Sequence, residues 1–427
     1  MHRTSHRSAR PQRGAASLLV VVVLFFILAL VSAYASRNLI FEQRISANNQ
    51  RATQAFEAAE AGIEFAIASL GAGRVDDACV TTTNTAFDSF RQRHMGMSGT
   101  GTFTLSAPQA NLRPTCMVLN GGTTCSCPNA APALVVPVGT APTFQLRFDA
   151  PIAQPGVVRV TSRGCSSIGS QCYAGAATAA DAEAEISVLL GLNSALAAPP
   201  RAAVTARGNV DLSGGAVTIS NGDAASGGIT IDSGGTLANS GSAVLRGLPG
   251  TPGSATLRTS DTSLSTLDAD GLFASLFGMD RATYRTQPAV VRVVCAGDCG
   301  LQIAQAISAN PGRVVWVEGD VTIDANRSFG DAAQPAMVFI RGNLTVSANL
   351  QLTGLLYLHS AGGANTWTTS AGSTQINGAV VAEGALTLSG ATPPTIAFDA
   401  GVLSTIGLTQ GSLVRIPGSW RDFVAGS

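Results

Sequence analysis

From Ala15 to Ser36 the chain carries no charged side chain, and from Ala15 to Leu70 it contains no proline. The first stretch reads AASLLVVVVLFFILALVSAYAS. About 20 mostly apolar residues are what a helix needs to cross a bilayer. The pattern then continues without a break. In RNLIFEQRISANNQRATQAFEAAEAGIEFAIASL, residues Phe56, Ala59, Ile63, Ala66, Ile67 and Leu70 recur at three- and four-residue steps, the period of one helix face. The spacing predicts one helix of about 55 residues, roughly 80 Å long. Its first half suits lipid and its second half suits packing on a globular domain. Residues 1–14 hold Arg3, Arg7, Arg10 and Arg13 and no acid. Arginines on that flank keep the N-terminus cytoplasmic and place the rest of the chain outside.

Two plainer readings compete. A secretory signal would be cut near Ser32-Ala33-Tyr34-Ala35, but such signals have shorter apolar runs and do not continue as a helix. A simple membrane anchor requires nothing after the apolar run.

Beyond Leu70 the texture changes. Gly71 and Gly73 read as a helix exit. The 47 glycines and a charged fraction of 12% disfavour a helical enzyme and suit many short strands joined by Gly-rich turns. Residues 144–148, 157–160 and 182–188 read as strands, the last alternating small or apolar with polar residues. A first β-rich domain is expected over 71–200, closed by the linker Ala197-Ala198-Pro199-Pro200. From 201 to 427 a loose repeat sets in. Strands open at Gly208-Asn209, Gly319-Asp320 and Gly342-Asn343, and 378–390 follows in the same style. Short strands repeated between turn residues predict a β-solenoid or β-helix, with a β-sandwich as the alternative because the spacing is irregular. Helical signals within about 261–312 suggest an insertion or cap. The fold class is therefore α+β.

The eight cysteines, Cys79, Cys116, Cys125, Cys127, Cys165, Cys172, Cys295 and Cys299, all follow the apolar segment. An even number, several in polar loops, points to disulfides in an oxidising compartment. Zinc fits less well, since the spacings are not paired CxxC knuckles and no His lies near them. Proximity predicts Cys165–Cys172 and Cys295–Cys299. The other four are left to pair among themselves in an undetermined order.

Little in the chain speaks of chemistry. All 26 basic residues are Arg, so lysine-dependent mechanisms are excluded. Net charge is zero, which leaves no electrostatic footprint for nucleic acid. His94 and His359 lie outside any GxSxG context. Asp268 with Asp270, and Asp320 with Asp324, are read as solvated carboxylates, and Trp316, Trp367 and Trp420 as packing residues. No catalytic residue, metal site or cofactor is expected.

The N-terminal segments Gly14-Ala15-Ala16-Ser17-Leu18-Leu19, Phe41-Glu42-Gln43-Arg44, Ala47-Asn48-Asn49 and Gln54-Ala55-Phe56-Glu57-Ala58-Ala59-Glu60-Ala61-Gly62 resemble type IV pilins, in particular the PilX-like minor pilins. The C-terminal Pro417-Gly418-Ser419-Trp420-Arg421-Asp422-Phe423 resembles the end of some long PilX-like chains. The resemblance implies a leader at 1–14, a pilin helix at 15–70 with 15–36 in the membrane, and an antiparallel sheet wrapping its upper half. It also implies cleavage between Gly14 and Ala15 by a prepilin peptidase, with methylation of the new N-terminus. Major pilins present a Glu five residues after the cut, thought to pair with a neighbour's N-terminal amine. Here that position is Leu19, and a charge in lipid is costly unless paired.

The function so implied is a structural minor pilin acting in pilus initiation and assembly at or near the tip. It would be held by one span in the bacterial inner membrane, C-terminus periplasmic, before it joins the surface pilus. Its partners would be the major pilin and other minor pilins through the helix, the prepilin peptidase, the inner membrane and, as a candidate, a tip adhesin. The second class is a surface-displayed adhesive or carbohydrate-active β-helix borrowing a pilin-type anchor.

Overall fold

The computed structural model describes residues 15–98, 101–105, 113–119, 122–127, 141–151, 154–166, 182–295, 298–359 and 362–422. A single helix runs from Ala15 to Leu70. With no proline and few β-branched residues after the apolar run, nothing interrupts its hydrogen-bond ladder. Ala55, Ala59, Ile63, Ala66 and Leu70 are buried on one face. They pack on a 6-stranded antiparallel sheet built from Thr115–Leu119, Gly122–Ser126, Thr143–Asp149, Val157–Cys165, Glu183–Asn193 and Ser412–Arg415. The facing residues include Phe144, Leu146, Phe148, Val158, Val160, Ile186, Val188 and Leu190. Alternate residues of each strand point to opposite faces, so an alternating pattern supplies one apolar face. Backbone meets backbone at Gly164, where a Cβ would collide with the Ala55 carbonyl oxygen and the Ala59 nitrogen.

The second region is a stack of parallel strands with three faces. The first face runs, in stacking order, through Leu257–Arg258, Ile231–Ser233, Val204–Ala206, Thr374–Ala382, Leu350–His359, Ala336–Arg341, Val314–Glu318 and Val290–Val294. The second comprises Leu237–Ala238, Val210–Gly214, Ala385–Gly390, Ala364–Thr369, Leu344–Val346 and Val321–Ile323. The third uses Val244–Arg246, Thr218–Ser220, Thr395–Phe398, the first halves of Thr374–Ala382 and Leu350–His359, and Arg327–Phe329. The long strands turn from the third face to the first at Gly354 and Gly378, which are in register and have positive φ. A Cβ at Gly378 would strike the Gly354 carbonyl, so the corner admits only glycine. The region is β-helix-like, and the chain as a whole is α+β.

Stacking order departs from chain order. The strand Val204–Ala206 pairs with Ile231–Ser233 on one side and with Val380–Ala382 on the other. The chain thus enters mid-stack and winds outward to residue 258. It then crosses outside the first face through the helices Thr262–Ser265, Ala269–Phe277 and Arg281–Arg285. At Val290 it restarts at the far end and winds back to the middle. Because these helices and the helix Ala400–Thr409 cover the middle of the first face, its strands Val314–Glu318, Ala336–Arg341, Leu350–His359 and Thr374–Ala382 are apolar on both sides there and read as continuous runs. The helix Cys299–Ala309 closes the far end, with Cys299 and Ile303 buried in the same core as Val293 and Val317.

Two expectations need correction. The segment 261–312 is not merely an insertion or cap, since Val290–Val294 is the end strand of the first face. Nor do 71–200 and 201–427 follow one another as separate domains. Ser412–Arg415 pairs antiparallel with Leu190–Asn193, and Arg421 exchanges backbone hydrogen bonds with Ser187. The whole stack is therefore inserted between two neighbouring strands of the helix-bound sheet. A strand of four residues whose partner is more than 200 positions away leaves no local signal.

Candidate functional site

The C-terminal part of the helix is docked on the sheet, while its N-terminal part is bare. Leu18 is 68% exposed, Leu19 65% and Phe25 73%, and large apolar residues remain exposed down to Ile45. Its most apolar 18-residue stretch has a mean hydropathy of 3.0, and none of that stretch is buried within the protein. By length and composition it can cross a membrane. Exposed apolar surface of this extent marks a membrane or protein interaction site. Ala15 opens the helix, Gly14 lies outside the described residues, and Leu19 places no charge in the apolar stretch.

Disulfides gather around the helix-bound sheet. Cys79 joins Cys127 with Cα atoms 5.2 Å apart, and Cys116 joins Cys125 at 4.1 Å. Cys165 is disulfide-bonded, and Cys172 lies outside the described residues. Cys295 joins Cys299 at 5.0 Å beside the end-closing helix. Among the described residues no His, Cys, Asp and Glu cluster could hold a metal.

The two regions are pinned together by polar contacts as well as by Ser412–Arg415. Arg91 donates to the carbonyls of Leu408, Thr409 and Gly411. Arg74 Nε donates to Ser308 O at 2.8 Å. Within the sheet region, Arg415 of the returning strand pairs with Glu64 of the helix. A bonded guanidinium satisfies carbonyls that would otherwise be stranded where the strands exit.

The remaining sequence candidates have mainly structural surroundings. His94 is fully buried and its ring stacks on Phe148 at 5.3 Å. Burial, with Arg93 beside it, lowers its pKa to about 4. Asp268 caps the helix Ala269–Phe277 through Gly271 N. Asp320 Oδ1 accepts from Asn343 N at 2.7 Å, and Asn343 Oδ1 from Thr366 N at 2.9 Å. The Gly-Asn and Gly-Asp openings are thus corner ladders that tie successive turns. Trp367 fills the interior of the stack. Trp316 packs outside it, stacked on Phe339, and Trp420 lies under Arg415.

A second constellation was not foreseen. Along the first face four neighbouring apolar runs end in an ionisable residue: Glu318, Arg341, His359 and Glu383. Glu383 is 2% exposed and meets Arg281, His359 Nδ1 and, at 2.7 Å, Tyr357 Oη. Glu318 accepts from Arg285 Nε at 2.6 Å and faces Arg341 at 3.4 Å. The pattern VVWVE, MVFIR, LLYLH, VVAE was the available signal.

Comparison with known proteins follows the same division. Residues 13–64 match the PilX N-terminal family model. No curated protein gives a significant match. Among solved structures, the competence-associated pilin ComZ from Thermus thermophilus aligns over 87% of this chain and 97% of that one, at 14% identity and a TM-score of 0.23. That superposition is too loose to bear on the fold. The likeness is thus to the PilX N-terminal region and is confined to residues 13–64.

Proposed function

We propose that the protein is a structural minor pilin that performs no chemistry and acts at or near the tip of a type IV pilus, within the complex that starts assembly. The observation that carries this reading is the bare helix from Leu18 to Ile45, rigidly continuous with a docked half. Before assembly its uncharged part, residues 15–36, sits in the inner membrane, with the C-terminal regions periplasmic. After cleavage between Gly14 and Ala15 by the prepilin peptidase, and methylation, it packs against the helices of the major pilin and other minor pilins. Leu19 lacks the charge that would draw a new subunit under its neighbour. The stack emerging from the sheet edge favours a place with free space above it, where a tip adhesin is a candidate partner.

Deletion of the gene tests the role: surface pili and twitching should be lost, and normal pili would refute it. Immunogold labelling of sheared pili tests the position. Label should sit at fibre ends, and regular label along the shaft would defeat the tip assignment.

A further inference from the structure

Past the uncharged span the long helix carries seven charged residues, and they are sorted by side. At about 100° per residue, Arg37, Arg44 and Arg51 fall in one row, and Glu42, Glu57, Glu60 and Glu64 fall in another on roughly the opposite side. The arginine row is in line with Ala55, Ala59 and Ala66, the face that docks on the sheet further along. The glutamate row is turned away from the sheet. All seven side chains are exposed. Arg44, Glu42, Glu57 and Glu60 have no ion-pair partner among the described residues. Arg37 lies over the Phe41 ring of its own helix. Glu64 is bonded to Arg415, yet a carboxylate has room for more than one donor.

A solvated outer side would explain exposed charge, but it would not confine acids to one side and arginines to the other. Rows sorted by sign suit a neighbour whose charges are sorted too. Two copies pointing the same way can set the arginine row of one against the glutamate row of the other, once one copy is raised along the axis. Two constraints fix the rise. The arginine row is on the side of the docked sheet. That sheet's first deep contact is Ala55 and the helix ends at Leu70, so the raised sheet clears the other helix only for shifts of about 15 residues or more. In that range, only a shift of 20 places Arg37 level with Glu57 and Arg44 level with Glu64 together. Such a shift is about 30 Å of helix, the thickness of the hydrocarbon core. The raised copy has then left the membrane while the other still spans it. Leu19 offers no charge for drawing subunits together within lipid, and the two rows supply it outside.

We propose that this helix binds a second copy of the chain head-to-tail, with Arg37 and Arg44 of the raised copy facing Glu57 and Glu64 of the other. The proposal rests on the retained pilin-type helix of the proposed function and names its partner. Full-length Asn48→Cys and Ala68→Cys chains test it, because these exposed positions face one another at that shift. The two are expressed together in cells lacking the native gene, membranes and sheared pili are mildly oxidised, and dimer is read on non-reducing gels. Disulfide-linked dimer should form with both variants present and not with either alone, since like positions then lie about 30 Å apart. Adding Arg44→Glu to the Asn48→Cys chain should cut the dimer at least about fivefold. Adding Glu64→Arg to the Ala68→Cys chain as well should restore it, which a fold merely damaged by Arg44→Glu would not allow. Equal dimer from either variant alone, no dimer from the pair, or no restoration by the exchanged charges overturns the proposal. The proposed function fails on a different observation, normal pili in the deletion strain, so the two failures are told apart.

Discussion

The helix-bound sheet and the parallel stack solve the same problem in different ways. The sheet has one apolar face, which it buries against a single helix through Ala55, Ala59 and Ile63. Two disulfides and the bonded Cys165 gather around it. The stack buries both sides of its first face and is tied turn to turn by backbone pairing and by the Asp320, Asn343 and Asn349 side chains. Its described disulfide lies at one end. A thin sheet on a helix depends on a few close contacts and crosslinks, whereas a stack spreads its stability over repeated neighbours.

The largest effect should come at the closest contact. Gly164→Val forces a side chain into the helix backbone and should cost at least about 4 kcal/mol, unfolding the sheet region. Chemical denaturation of the full chain would show an early transition for the sheet with the stack transition retained. Reduction comes next. Cleaving Cys79–Cys127, 48 positions apart, should cost about 4 kcal/mol, and Cys116–Cys125, 9 positions apart, about 3. Dithiothreitol should therefore lower the sheet's midpoint far more than that of the stack.

Acid should separate the regions by sign. His94 is neutral in the folded sheet, its pKa lowered from 6.5 to about 4. The unfolded state takes up the proton first, so stability present above pH 6.5 is lost as pH falls toward 4, by about 3 kcal/mol. Asp232, in the stack, has its pKa raised from 3.8 to about 6, chiefly by burial. Its contribution is present below pH 3.8 and is lost as pH rises through 6. Between pH 6.5 and 4 the sheet should weaken while Asp232 favours the stack. His94→Phe should remove most of the sheet's share of that dependence. The smallest effect concerns the ladder: Asn343→Ala removes the acceptor for Thr366 N and should cost about 1 kcal/mol, read as a small shift of the stack midpoint alone.

The same contrast governs how much could be read in the chain. The helix was legible because an unbroken periodic pattern is local and nothing contradicts it. Strands near 144–148 and 157–160 were legible because alternation is local too. The β-helix-like region showed through its Gly-Asn and Gly-Asp corners, but its turns were not, since the stretch 247–256 and the helix Cys299–Ala309 break the repeat. The insertion was invisible. It rests on Leu413 facing Leu192 and on Val204 facing Val380, pairings that only the folded chain brings together. The bare helix was legible as a stretch long and apolar enough to cross a membrane. The cluster around Glu383 was not, because Arg281 and Glu383 are 102 residues apart.

The N-terminus of the mature protein distinguishes a retained pilin-type helix from a discarded signal. Mass spectrometry of the membrane-extracted chain should find Ala15 as the first residue, N-methylated, with the helix from Ala15 to Leu70 intact. A mature chain starting near Arg37 would mean that the apolar segment is a discarded signal, and the pilin-type reading would be contradicted.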